Sequence, residues 1–326
     1  MKKKTIRIIV VMVILVIVLV PLGIIGYIYF FLPNVPLKDV RIDPAPERIE
    51  RGNYLANHVT VCIDCHSTRD WNRFSGPLVA GTEGKGGEKF DEKKGFPGTF
   101  YAPNITPFHL STWTDAEIYR AITAGMAKDG RALFPVMPYI YYGTLDDEDV
   151  SGIIAYIRSL PSIDNTPPPS SAGFPMNLIM RLIPKQGMPG KIPDTGDRAG
   201  YGKYLVTASG CIECHTPVKK GQIIEEKAFS GGREFNVPFG ILRSPNITPD
   251  PATGIGSWTL EAFVFRFRAY DLSTYQPQAV TDKDFNTLMP WTMYAGMTLH
   301  DLEALYEYLR TLTPVVNKVE KTTFIR

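Results

Sequence analysis

Cys62-Ile63-Asp64-Cys65-His66 and Cys211-Ile212-Glu213-Cys214-His215 consume all four cysteines of the chain. On one helical turn, positions i and i+3 share a face. Two thiols so placed can join one flat macrocycle, and the histidine that follows can put an imidazole nitrogen on its metal. C-x-x-C-H is the attachment motif of c-type haem. The two copies predict two covalently bound haem c groups. Cys62, Cys65 and His66 would hold one, and Cys211, Cys214 and His215 the other. A thiol–disulfide couple or one four-cysteine zinc site uses the same residue type. Neither explains a histidine directly after both pairs, and Cys62 and Cys211 stand 149 positions apart, far beyond usual zinc spacing.

The repeat extends beyond the pentapeptides. Arg51-Gly52-Asn53-Tyr54-Leu55 precedes the first, and Tyr201-Gly202-Lys203-Tyr204-Leu205 the second. Phe74-Ser75-Gly76 pairs with Phe229-Ser230-Gly231, Trp113-Thr114 with Trp258-Thr259, and Met137-Pro138-Tyr139 with Met289-Pro290-Trp291. Pro-Asn-Ile-Thr-Pro occurs at 103–107 and again at 245–249. Val150, Ile153, Ile154, Ile157 and Leu160 have the offsets of Leu302, Leu305, Tyr306, Leu309 and Leu312, which predicts one buried helical stripe in each half. Asp146 and Thr298 are the expected N-caps of these closing helices, and Pro161 and Pro314 stop them. Middle helices are expected from Thr114, where Thr-Asp-Ala-Glu has the capping-box form, and from Thr259, where Ala262 breaks that form. The chain therefore reads as a small all-α domain stated twice, over 35–160 and 198–326. A Pro-rich, semi-rigid linker, 161–197, joins the copies. Within it the apolar island Met176–Ile183 is expected to pack on one domain, with a partner or membrane contact as the sharper reading. The Gly- and charge-rich loop 81–98 has no visible counterpart and is expected to be solvated.

Each iron needs a second axial group or an open position. His58, His109 and His300 have no counterparts between the halves and are expected to be ordinary surface or packing residues. Met137 follows His66 by 71 residues and Met289 follows His215 by 74, both in Met-Pro-aromatic loops before a closing helix. Met137 and Met289 are therefore the expected thioether ligands; Met293 and Met297 lie near the second. His/Met ligation marks electron-carrying sites. Asn104, Asn246, Thr106 and Thr248 would hold loop backbone or haem propionates, Arg131 and Arg268 propionates, and Trp113 and Trp258 pocket walls or core.

Residues 8–32 are almost wholly apolar, and Lys2, Lys3, Lys4 and Arg7 precede them. The run is longer than a signal-peptide core and no A-x-A-like site follows. It is expected to be an uncleaved transmembrane anchor within 1–34, with the N-terminus in the cytoplasm and the haem domains on the periplasmic side of the cytoplasmic membrane. Setting those four cations aside leaves 31 Lys and Arg against 33 Asp and Glu, which is no nucleic-acid footprint.

With these residues in view, the chain resembles class I cytochrome c domains in tandem. More narrowly, Pro245–Thr259 and Met137-Pro138-Tyr139 with Asp146–Asp149 are similar to the cytochrome c subunit of membrane-bound gluconate and alcohol dehydrogenases. The resemblance covers about 48–314. It implies haem c at both Cys-x-x-Cys-His motifs, Met137 and Met289 as distal ligands, and electron relay without catalysis of its own. The redox partners it implies are a dehydrogenase or quinol-oxidising complex on one side and a cytochrome or terminal oxidase on the other. It also implies a Pro carbonyl orienting the proximal histidine; Pro77 takes that place in the first half, and Gly232 stands at the matching position of the second. The chain departs from the family in carrying two haem motifs instead of three, and an N-terminal helix as anchor. Two other readings are a dihaem enzyme of the peroxidase or thiosulfate-oxidising type, with one open or differently ligated haem, and the anchored dihaem subunit of a cbb-type oxidase.

Overall fold

The computed structural model describes residues 3–324; Met1, Lys2, Ile325 and Arg326 lie outside the described residues. The chain is mostly helical, with small antiparallel sheets added. An apolar helix, Lys3–Phe31, buries none of its residues against the rest of the chain. At 1.5 Å per residue its 29 residues span about 43 Å, long enough to cross a bilayer.

Each half opens and closes on a helix, and the two cross at glycine. In the first half Pro46–Tyr54 crosses Asp147–Ser159, and in the second Arg198–Ala208 crosses Leu299–Thr311. A Cβ on Gly52 would sit 1.8 Å from the Gly152 carbonyl oxygen, and one on Gly202 1.9 Å from that of Ala304. Only glycine allows either backbone approach. The first stripe is buried throughout and the second at Leu302, Leu305 and Leu309, while Tyr306 and Leu312 are half-buried; Val150, Ile154 and Leu302 have 0 % exposure. Asp146 accepts from the Glu148 amide and Thr298 from the Asp301 amide, so both caps form as expected. The middle helices are Asp115–Ala124, with its full capping box, and Leu260–Arg268, capped by Thr259 alone.

The expectation of an all-α chain needs correction. Lys89–Phe90 pairs with Gly98–Tyr101, and Glu234–Val237 with Gly240–Arg243. These hairpins are counterparts, because Gly87 donates to the Ala102 carbonyl and Gly232 to that of Ser244 at their bases. The 81–98 stretch is thus not unique to the first half; it has a longer connection, and that connection turns toward the second half, where a Cβ on Gly95 would lie 3.6 Å from Asn236 Nδ2. Pattern reading missed the strands because they are only two to four residues long, too short to register an alternation.

The linker is fastened along its length. Ser171–Ala172 extends the first sheet beside Gly98–Thr99, and Gly190 donates to the Thr144 carbonyl. The island at 176–183 does not enter the core of either half. Its short helical turns, Met176–Ile179 and Met180–Leu182, pack on the end of the apolar helix.

The halves meet by exchange of equivalent groups. The Tyr54 hydroxyl donates to Asp301 and accepts from the Thr298 amide at 3.1 Å. The Tyr204 hydroxyl donates to Asp149 at 2.7 Å and accepts from the Asp146 amide at 3.2 Å. Tyr54 and Tyr204 are equivalent in the repeat, as are Asp149 and Asp301. A contact in which i meets j and j meets i is the signature of an approximate two-fold axis.

Candidate functional site

Both cysteine pairs lie on one helical turn, Cys62–Cys65 and Cys211–His215. The residue before each turn is left-handed: Val61 at φ 45° and Gly210 at φ 62°. All four thiols are free of disulfides. Burial pushes Cys65 and Cys211 up to about 12, the reverse of what a reactive thiolate centre needs. Among the described residues no three or more His, Cys, Asp or Glu side chains gather to hold a bare metal ion.

The histidines are oriented identically. His66 Nδ1 donates to the Pro103 carbonyl at 2.8 Å, and His215 Nδ1 to the Pro245 carbonyl at 2.9 Å. A carbonyl only accepts, so Nδ1 carries the proton and Nε2 keeps the lone pair that a metal takes. Burial, partly offset by this bond, lowers the pKa of both rings and keeps them in the neutral, ligating form. The orienting carbonyls therefore belong to the repeated Pro-Asn-Ile-Thr-Pro, in both halves, and Pro77 does not have this role: its carbonyl accepts from the Asp70 amide.

The rest of that pentapeptide fixes the carbonyl in place. The Asn104 amide group donates to the Ile163 and Asn165 carbonyls, while its oxygen accepts from the Thr106 amide and hydroxyl. Asn246 repeats this with the Val315 carbonyl, the Thr253 hydroxyl and Thr248. Both asparagines, at 1 % and 4 % exposure, thus serve loop backbone and have no capacity left for a propionate.

The structure also corrects one pairing in the repeat. Gly231 donates to the His215 carbonyl, and Gly86 donates to the His66 carbonyl; both have φ of +74°. A Cβ on either would strike the following Pro-Asn peptide at 2.6 Å or closer. Gly86, not Gly76, is the counterpart of Gly231. Phe74-Ser75-Gly76 lies in a loop of the first half that reaches the other half's methionine loop.

Met137 and Met289 are half-buried and pack on the core. Each is followed by proline and a buried turn, Tyr139–Tyr142 or Trp291–Tyr294. The Tyr142 hydroxyl donates to the Thr60 carbonyl at 2.8 Å, and that of Tyr294 to the Ser209 carbonyl at 3.0 Å. Thr60 and Ser209 each stand two residues before the first cysteine of their motif. Both methionine loops are thus tied to the cysteine turns. Met293 and Met297, at 6 % and 1 % exposure, are core residues, which leaves Met289 as the accessible sulfur. His58 is occupied by the Met293 carbonyl at 2.8 Å, and His300 is 43 % exposed at its side chain. Arg268 donates one hydrogen bond, to the Ala295 carbonyl, and Arg131 lies exposed beside Asp129. Trp113 is half-buried against the core and Trp258 is exposed.

Three features escaped sequence reasoning. The acidic residue inside each motif is paired with an arginine, Asp64 with Arg69 at 2.8 Å and Glu213 with Arg233 at 3.0 Å. Burial still lifts Asp64 to about 6 against that arginine. Glu213 also accepts from the Tyr141 hydroxyl at 2.5 Å, which links the first methionine loop to the second cysteine turn. Conversely, the Ser75 hydroxyl donates to the Met289 carbonyl at 2.7 Å and accepts from the Trp291 amide at 3.1 Å. The recurrence of an acid in both motifs was a signal available in the sequence; the cross-half contacts left none.

No family model matches the chain. It is 29 % identical over 292 residues to the cytochrome c subunit of quinone-dependent alcohol dehydrogenase of Gluconacetobacter polyoxogenes, covering 82 % of this chain and 56 % of that protein. It is 32 % identical over 223 residues to the fructose dehydrogenase cytochrome subunit of Gluconobacter japonicus, covering 65 % and 42 %. A dihaem c-type cytochrome of Cereibacter sphaeroides is 31 % identical over 202 residues, covering 58 % and 63 %. The chain spans about half the length of the dehydrogenase subunits it matches. The doubled histidine cradle and these similarities together make the chain a homologue of the cytochrome c subunits of bacterial dehydrogenases and of a dihaem cytochrome c.

Proposed function

We propose that the chain is a membrane-anchored dihaem cytochrome of two tandem class I cytochrome c domains, 35–160 and 198–326, joined by the linker 161–197. Residues 1–34 carry the anchor, and the haem domains stand on the periplasmic side of the cytoplasmic membrane. It relays electrons from a dehydrogenase or quinol-oxidising complex to a downstream cytochrome or terminal oxidase, and performs no substrate chemistry itself. The observation that carries this reading is the identical histidine cradle in both halves, each tied through a tyrosine to a loop with its own accessible methionine.

Bound haem c supplies reversible one-electron chemistry at its iron. The residues of the chain supply the rest. Cys62, Cys65, Cys211 and Cys214 would attach the groups. His66 and His215, held by carbonyls, present Nε2 in a fixed orientation. Met137 and Met289 would supply a soft second ligand, which raises the potential and leaves no open position for oxygen or peroxide. The buried tyrosines hold each methionine loop against its cysteine turn, so little rearranges when the charge changes. Glu213 with Tyr141, and Ser75 with the Met289 loop, join the two sites into one unit.

The test is ligand binding by the reduced, full-length holoprotein. No carbon monoxide binding at either haem, with the weak red Met–iron band in the ferric form, is expected. Rapid stoichiometric binding at one haem would overturn the relay and favour the dihaem-enzyme reading. Met137→His and Met289→His should each lower the potential of one haem and leave the other's unchanged in a spectroelectrochemical titration.

A further inference from the structure

The linker carries an apolar surface that neither half covers. Ile179 is 43 % exposed and Leu182 49 %, on two short turns that lie against the end of the apolar helix, and Phe174, 79 % exposed, stands just before the first of them. That end is ringed by Tyr27, Tyr29, Phe30 and Phe31, all exposed. Aromatic side chains of this kind concentrate where a spanning helix passes through the headgroup layer.

Arg181 joins the two elements. Its guanidinium donates to the Tyr29 carbonyl at 3.1 Å and the Leu32 carbonyl at 2.9 Å, and lies 4.8 Å from the centre of the Tyr29 ring. The last carbonyls of a helix have no partner within it. A cation there satisfies them and meets the negative end of the helix dipole. The arginine's charged head thus sits at the level of the helix terminus while the neighbouring apolar side chains face outward. On its other side the segment is tied to the first half by the strand Ser171–Ala172 and by the Ser170 hydroxyl, which accepts from the Tyr101 amide at 2.9 Å.

We propose that Phe174–Leu182 is a second membrane contact, an interfacial ledge on the lipid surface where the apolar helix emerges. Phe174, Ile179 and Leu182 enter the headgroup–acyl boundary, and Arg181 locks the ledge to the helix. This rests on the membrane-anchor reading above. The occupant is the bilayer because the patch is continuous with the one helix, among the described residues, long and apolar enough to span it. Apolar side chains at an interface sit about 5–10 Å into the headgroup–acyl boundary, within reach of exposed residues on short turns beside the helix end. The ledge and anchor together hold the first half at a set height and tilt over the membrane, which a lone helix followed by a free linker would not do.

The test places a photo-crosslinking benzophenone side chain at Phe174, Ile179 or Leu182 of the full-length holoprotein in its host membrane. Phe265, 71 % exposed in the second half, and Val13 in the apolar helix serve as controls. Lipid adducts at 174, 179, 182 and 13, with none at 265, are expected. Adducts at 13 with none at the three ledge positions, or polypeptide adducts in place of lipid there, would overturn the ledge and leave the anchor intact. Loss of lipid adducts at 13 as well would mean that the anchor reading itself fails. Arg181→Ala should reduce the lipid adduct at 174 without changing that at 13; an unchanged yield at 174 would remove Arg181 from the lock.

Discussion

The first half differs from the second mainly in the loops that each adds to a common frame. Everything that orients the proximal histidine is common to both: the left-handed residue before the turn, the glycine bonded to the histidine's own carbonyl, the proline carbonyl on Nδ1 and the asparagine that secures the loop. The first half has a longer loop at 69–79 and a longer hairpin connection, both reaching toward the second half, and the second half has a longer connection from Arg268 to Met289, whose Gln278 carbonyl accepts from the Phe74 amide. His66 and Pro103 are 37 residues apart where His215 and Pro245 are 30 apart. The lesson is that the contacts orienting the two histidines are the same in both copies even where the residue differs, as at Val61 and Gly210, whereas the parts that join the copies have diverged in length.

The hardest way to break the comparison is at the helix crossings. Gly52→Ala and Gly202→Ala each force a methyl into a backbone carbonyl, and each should cost roughly 3 kcal/mol or more in chemical denaturation of the holoprotein. Equal losses would confirm that the crossings are equivalent; a mild loss at one would show that its helices can slide.

The seam comes next. Tyr54→Phe and Tyr204→Phe each strip a hydrogen bond from a buried carboxylate, Asp301 or Asp149, and should cost about 1–3 kcal/mol. Burial, followed by the adjacent carboxylates, raises both phenols above their ordinary range. A raised folded pKa gives stability that is full below the unfolded value of about 10 and falls as pH rises beyond it, by about 1.4 kcal/mol per pH unit per group. Stability measured from pH 8 to 11 should therefore decline less steeply at the alkaline end in each Phe variant than in the parent chain.

Ser75→Ala asks whether the added loop serves the second haem. It takes one of two partners from the Met289 carbonyl and from the Trp291 amide, which keep their 2.8 Å bond to each other, at about 1 kcal/mol. The expected signature is a shifted potential and weakened Met–iron band at the second haem only; shifts at both haems would make Ser75 a general packing residue. The smallest effect is expected at Val61. A β-branched residue at φ 45° is strained, and Val61→Gly, which copies Gly210, should gain up to about 1 kcal/mol in thermal melts, the lost side-chain packing limiting the gain.

Much of this was legible in the sequence. The cysteine turns, helix caps and buried stripes depend on local periodicity and on residues with one strong structural habit. The glycines at 52 and 202 stood in the quoted repeat, but their reason is a partner helix about a hundred residues away. The resemblance implies a proline carbonyl on the histidine but places it at Pro77 instead of Pro103, because composition carries no sign of which carbonyl faces a ring. Phe-Ser-Gly misled because a three-residue match arises readily by chance; only the hydrogen bonds of Gly86 and Gly231 reveal which glycines correspond.

The reciprocal Tyr–Asp exchange has a consequence for how such a protein is held together. Each half uses on the other the same surface that two separate copies would use to form a homodimer, so the chain behaves as a dimer sealed into one polypeptide. Its pairing is set by the effective concentration within a single chain and not by how much protein the cell makes. A two-fold contact also saturates itself, so dilution cannot part the two redox sites, and any further subunit must dock elsewhere.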